Sequence, residues 1–293
     1  MAKNGCFGAV TVAVLLVGAA CPARAAPYAY GELAFGDLTL FGLLDTPGVS
    51  IVGATVTSSS TADYPGRQGV SRSATGSLTS GTDVSQAFSG GSTAPEQNAF
   101  TRQLTSGSGT RGDARISGAI NADATAHIVG EGRLTTAPAT ASSTAGTSTG
   151  ISINVALTAT TAISLDFTAS SHLIASTAGM GEGASAQVNA SFTITQGATT
   201  IANFAPGALN FSVSSTNGTG DSVFDSGPIA YNTGLFTLDP GNYQIQLLAG
   251  VQERLDTSAV PVTPPSNVRE PASMALLGVG LLGCAIARNR RRA

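Results

Sequence analysis

The strongest constraint on this chain is a two-residue alternation of apolar with hydroxyl- or amide-bearing residues, repeated along most of its length. Ile151, Ile153, Val155 and Leu157 alternate with Ser152, Asn154, Ala156 and Thr158. Ile163, Leu165 and Phe167 alternate with Ser164, Asp166 and Thr168, and Val188, Ala190, Phe192 and Ile194 do the same with Asn189, Ser191, Thr193 and Thr195. Side chains of a strand point to opposite faces in turn, so each segment reads as a strand with one dry and one wet side. Ala114 to Ile128 reads as one longer strand, with Ile116, Ile120 and Ile128 on its apolar face. Phe236 and Leu238 lead into Asp239-Pro240-Gly241-Asn242, and Tyr243, Ile245 and Leu247 follow, which predicts a hairpin. Leu209, Phe211 and Val213 continue the pattern after the Ala205-Pro206-Gly207 turn.

One-sided strands require a second sheet to cover them. The expected fold is therefore all-β, an antiparallel, jelly-roll-like β-sandwich. A β-solenoid is the runner-up, but no fixed repeat period is present. Many inward positions are Ala or Gly, so Phe167, Phe192, Phe211, Phe224 and Phe236 are expected to dominate a thin core. Ser58 to Thr61 and Ala137 to Gly150 contain no large apolar residue and read as mobile loops. Only Pro95 to Leu104 carries helix signals, with Thr93 as cap and Glu96 three residues later.

The two ends differ from this body. Lys3, an apolar run from Gly8 to Ala20 and the small residues Ala23 and Ala25 read as a secretory signal peptide over 1–25, cleaved after Ala25. Signal peptidase and the export machinery are then partners. Cys21 offers a lipoprotein alternative, against which stand Gly18 and Pro22. The exported β-rich domain spans 26–260, and 261–271 form a Pro-rich spacer. Residues 272–287 are apolar or small throughout and are expected to form a transmembrane helix. At a rise of about 1.5 Å per residue that helix is short for a bilayer, and spans only with thinning or snorkelling. Residues 288–293 hold Arg288, Arg290, Arg291 and Arg292, a cytoplasmic positive tail.

Val268-Arg269-Glu270-Pro271-Ala272-Ser273, an apolar stretch and an Arg-rich end together resemble the PEP-CTERM sorting signal of Gram-negative bacteria. In that family the motif is usually Val-Pro-Glu-Pro, from which Arg269 departs. The resemblance rests on Val268, Glu270, Pro271, Ala272 and Ser273. It implies processing by an exosortase-type enzyme near the Pro-containing motif, after a stage anchored in the inner membrane. It also implies delivery to the cell surface or extracellular matrix, in association with envelope, exopolysaccharide and biofilm.

Between the two ends, residues 26–271 carry eight Arg against 17 acidic residues, a net charge of −9 with no Lys. Nucleic acid is thus not an expected partner. Cys6, Cys21 and Cys284 all lie outside this stretch, which excludes thiol catalysis and Cys-ligated metal there. No cofactor or metal is expected. His127, near Asp123 and Thr125, and His172, near Ser170, Ser171 and Asp166, lack the Gly-x-Ser-x-Gly context of a hydrolase, and no catalytic residue is assigned. Asn217 to Asp225 could offer oxygen ligands to calcium, but the spacing fits no known loop and an ordinary turn is the expectation. Arg111-Gly112-Asp113 is expected as a turn before the long strand. The leading expectation is a non-enzymatic surface or matrix protein, and the alternative is a secreted carbohydrate- or calcium-binding module.

Overall fold

A computed structural model describes residues 26–258, except 44–45, 65–66, 77–83, 92–99, 105–108, 121 and 136–140. The signal-peptide, spacer, span and Arg-tail expectations fall outside these residues. Among the described residues no helix is long and apolar enough to cross a membrane.

The described chain is all-β, in two antiparallel sheets. The first contains β1 (Tyr28–Phe41), β4 (Val84–Gly91), β5 (Gly109–Ala119), β6 (Ala122–Arg133), β8 (Thr161–Thr177) and β12 (Gly220–Asp225), in the order β12-β8-β1-β6-β5-β4. The short strands β13 (Ile229–Asn232) and β14 (Phe236–Leu238) also pair along β8. The second sheet contains β2 (Val49–Tyr64), β3 (Arg67–Gly76), β7 (Ala141–Leu157), β9 (Glu182–Gln196), β10 (Thr199–Phe204) and β15 (Gly241–Thr257), in the order β10-β9-β15-β7-β2-β3. Strand β11 (Phe211–Thr216) pairs with β9.

The inner faces meet in one core. Leu33, Ile128, Leu165 and Leu173 come from the first sheet, and Ile151, Val188, Phe192 and Ile194 from the second. Each buried side chain of this size contributes about 1.5–3 kcal/mol by leaving water. The period-2 reading of β7, β8 and β9 is reproduced in their burial, except that Ser164, expected on the wet side of β8, is buried. A bulge at Gly36–Asp37, with Asp37 at φ +52°, lets Phe35 and Leu38 both face inward despite odd spacing.

Part of this interior is polar and thin. Gly31, Gly130 and Gly112 lie side by side across β1, β6 and β5. Opposite them stand Ser60, Thr147 and Glu253 of the second sheet. Ser60 Oγ donates to the Gly112 carbonyl at 3.0 Å, and Thr147 Oγ1 donates to the Val129 carbonyl at 3.2 Å. A Cβ on Gly130 would run into the Glu253 carboxyl group, so glycine is what allows the sheets to approach here.

This packing corrects several expectations. Ser58–Thr61 lies inside β2, and 141–150 lies inside β7, where Ser60 and Thr147 pack closely on Gly112 of the facing sheet and a larger side chain would not fit. Ala114–Ile128 is a tight hairpin, with β5 and β6 paired Ala114↔Ile128. Backbone reversal there uses Gly118 at φ +84° and Asp123 at φ +56°. Phe236–Leu238 and Gly241–Thr257 enter different sheets, so their turn joins the layers instead of making a hairpin. Within the expected helix, residues 100–104 form an extended strap, and 95–99 lie outside the described residues. Phe167 and Phe192 are buried and Phe224 and Phe236 pack against the core, but Phe211 is 43% exposed, stacked on Phe224.

Candidate functional site

The two sheets present different outer faces. That of the second is largely Ser, Thr, Asn and Gln. That of the first concentrates ionised and aromatic groups, because β1, β5, β6 and β8 each place such residues at outward positions in register. Glu32 on β1 lies beside His172 on β8, which lies beside Asp225 on β12. In the next row Tyr30 lies between Ile174 of β8 and Glu131 of β6, and Glu131 pairs with Arg111 of β5.

A strap, Phe100 to Leu104, crosses this face and is fastened by one buried carboxylate. Glu131 accepts four hydrogen bonds: from the backbone N–H groups of Gln103 (2.9 Å) and Leu104 (3.0 Å), from Arg111 Nε (2.8 Å) and from the Tyr28 hydroxyl (2.8 Å). Arg111 also donates to Asp113 and to the Thr101 carbonyl. Such a group is held only when its lone pairs and N–H groups are satisfied, as they are here. Arg111-Gly112-Asp113 is therefore buried strand, not an exposed turn. Burial, then the neighbouring Glu131 charge, pushes the Tyr28 hydroxyl up, and burial with the hydrogen bond to Glu32 does the same for Tyr30.

Clefts flank the strap. One, of about 570 Å³, is lined by Tyr30, Glu32, Phe100, Arg102, His172 and Asp225 among others. A second, of about 300 Å³, lies against Phe100, Arg115, Ser117, Thr125 and His127. A third, of about 360 Å³, includes Tyr28, Arg102, Arg133 and Asp221. Phe100 belongs to the first two, and Arg102 to the first and third.

Both histidines sit here, with partners other than those the sequence suggested. His127 Nε2 meets Glu32 Oε1 at 2.7 Å, and its ring stacks on Phe100 with centroids 4.4 Å apart. His172 Nδ1 meets Asp225 Oδ2 at 3.2 Å, and its Nε2 lies 3.2 Å from Arg102 Nη2. Arg can only donate, so Nε2 is the acceptor and the proton sits on Nδ1, directed at Asp225. The nitrogen that a hydroxyl nucleophile would require is thus engaged by Arg102. Ser171 Oγ points away, donating to the Ala208 carbonyl at 2.8 Å. Burial opposes ionisation of Glu32, but hydrogen bonds from His127 and Tyr30 outweigh it and hold the carboxyl below its ordinary range. Asp225 is held low first by the Gly227 N–H and then by His172.

The segment weighed as calcium ligands and expected as an ordinary turn is divided. Asn217 and Gly218, at φ +54° and +75°, make a turn whose Asn217 Oδ1 accepts from the Gly181 N–H at 3.0 Å. Asp225 stands at the far end of β12, beside His172. Among the described residues no group of three or more His, Cys, Asp or Glu could hold a metal ion. Glu32, Arg102 and Glu131 were not singled out by sequence, since partners that place them here, His127, His172 and Tyr28, lie 70 to 103 positions away. The sorting-motif residues Val268, Glu270, Pro271, Ala272 and Ser273, the cleavage residues Ala23 and Ala25, and Arg288 to Arg292 lie outside the described residues.

Comparison with known families places one match at the end of the chain: residues 270–292 match the PEP-CTERM protein-sorting motif. That motif marks an exported protein that carries a C-terminal sorting signal for an exosortase-type enzyme. No curated protein and no solved structure matches the chain.

Proposed function

From a chain that ends in a PEP-CTERM sorting signal, we propose a non-enzymatic structural protein of the cell surface or extracellular matrix, embedded in exopolysaccharide. The precursor is exported through its signal peptide, held in the inner membrane by 272–287, and released when an exosortase acts near Pro271. The motif at 270–292 carries this reading. The polar exterior and the absence of Cys between 26 and 271 are compatible with life outside the cytoplasm. The engagement of His172 Nε2 by Arg102 supports a non-catalytic role.

The test is intact mass and fractionation of the protein from its own host, with and without the exosortase. The expected product lacks the segment after the motif in the parent strain and keeps it in the deletion strain. A full C-terminus in both strains would reduce the tail to a plain anchor and would point to Arg269 as the residue that blocks processing.

A further inference from the structure

We propose that the strap-crossed face of the first sheet is a binding groove for an extended, uncharged glycan segment. The inference rests on the matrix reading above and names the surface that meets the matrix. Phe100 joins the first cleft to the second and Arg102 joins the first to the third, so the available space is elongated and branches along the strap. An elongated space of this size fits successive units of a polymer better than one compact metabolite.

Three observations select the ligand. First, charge is balanced: Glu32, Asp221 and Asp225 line the clefts together with Arg102, Arg115 and Arg133. A polyanion would meet as many carboxylates as guanidinium groups and would gain little. Second, the polar groups alternate acceptor and donor. Each sugar hydroxyl both donates and accepts, so it can bridge the Asp225 carboxylate and the Arg102 guanidinium, which His172 already holds close together. Third, Phe100 stands between two clefts with one ring face on His127, an apolar ridge against which the C–H face of a sugar can lie. A peptide strand finds less here. Beneath the groove β1 is paired on both sides, with β6 and with β8, so its backbone groups are already taken.

The site is built before the ligand arrives. Glu131 and Arg111 hold the strap from below, and Tyr30, Glu32 and His127 are bonded to one another in series. Side chains ordered in this way lose little freedom on binding.

The experiment is isothermal titration of the full chain, in a detergent without a sugar head group. The probes are cellohexaose, laminarihexaose and isomaltohexaose, with hexagalacturonate and a Ser/Thr-rich peptide as controls. At least one neutral hexasaccharide should bind about tenfold more tightly than either control. Arg102→Ala and Asp225→Asn, both at the surface, should each weaken it by about tenfold while leaving the melting temperature unchanged, the size of effect expected when a charged hydrogen-bond partner is removed. Absence of binding by all three neutral probes, or equal binding of the peptide, or affinities unmoved in both variants, would overturn the groove. Co-sedimentation of the same chain with host matrix polysaccharide is read in parallel. Matrix association without hexasaccharide binding would sink the groove and leave the structural role intact. Hexasaccharide binding without matrix association would support the groove and sink the matrix role.

Discussion

Glu253 is fully buried between the sheets, and neither of its carboxyl oxygens has a hydrogen-bond partner. Burial, then the charge of Glu131 across the first sheet, raises its pKa well above the ordinary 4.5. The folded protein therefore holds a proton that the unfolded chain releases above that value. Between pH 4.5 and the folded-state pKa the native state binds more protons, so this residue makes stability fall as pH rises, by up to about 1.4 kcal/mol per pH unit. Glu253→Gln is neutral at every pH and removes that slope. Urea unfolding should show the variant matching the parent at pH 4 and exceeding it by more than about 1 kcal/mol at pH 7.5. A parent and variant with parallel pH profiles would show that Glu253 is hydrated in the native state. Arg111 makes the opposite case, since removing it leaves Glu131 and Asp113 as buried anions. Arg111→Met should cost about 3–5 kcal/mol in the same assay. Arg111→Lys should recover only part of it, since one ammonium cannot reproduce a fork that reaches Glu131, Asp113 and the Thr101 carbonyl.

Strand β7 shows how elements here depend on what faces them. Residues 141–150 have no large apolar side chain and taken alone carry the composition of a loop. They are strand because β7 is paired along its length with β15 and β2, because Gly112 of the facing sheet lies tightly against Thr147 and Ser60, and because Ser58, Ser60, Thr147 and Thr149 satisfy one another and the opposite backbone. Gly130→Ala should destabilise by about 1–3 kcal/mol through overpacking against Glu253. The double variant Gly130→Ala/Glu253→Ala should lose less than the sum of the singles, a coupling that chemical denaturation reads directly. The apolar alternation of β8 and β9 was legible without such context, because Ile, Leu, Val and Phe carry their own reason for burial. The strap at 100–104 was not legible. Phe100 and Leu104 sit four apart as on a helix, yet Leu104 is buried beside the first sheet and the backbone N–H groups of Gln103 and Leu104 are taken by a carboxylate from β6.

The stability of the whole domain must come from packing and sheet hydrogen bonds, since residues 26–271 contain no Cys. Its melting temperature should be unmoved by thiol reductants, and a shift would reveal a contribution from Cys6, Cys21 or Cys284. The same distribution gives a direct readout of processing. A maleimide mass tag should label the anchored precursor at Cys284 and leave the product released near Pro271 unlabelled. A labelled product would place the processing bond beyond Cys284 or show that no processing occurs. The sequence by itself determined the all-β class, the inward residues of the apolar strands, and the sorting signal at 270–292. These are encoded locally, by side-chain period and by a short contiguous motif. Only the tertiary structure decided which strands pair, why a Ser/Thr tract becomes a strand, and how Glu32, Phe100, Arg102, His172 and Asp225 come to share one face. Those outcomes depend on contacts between residues far apart in the chain, where glycine on one sheet sets what the other can hold, and no local pattern records the facing partner.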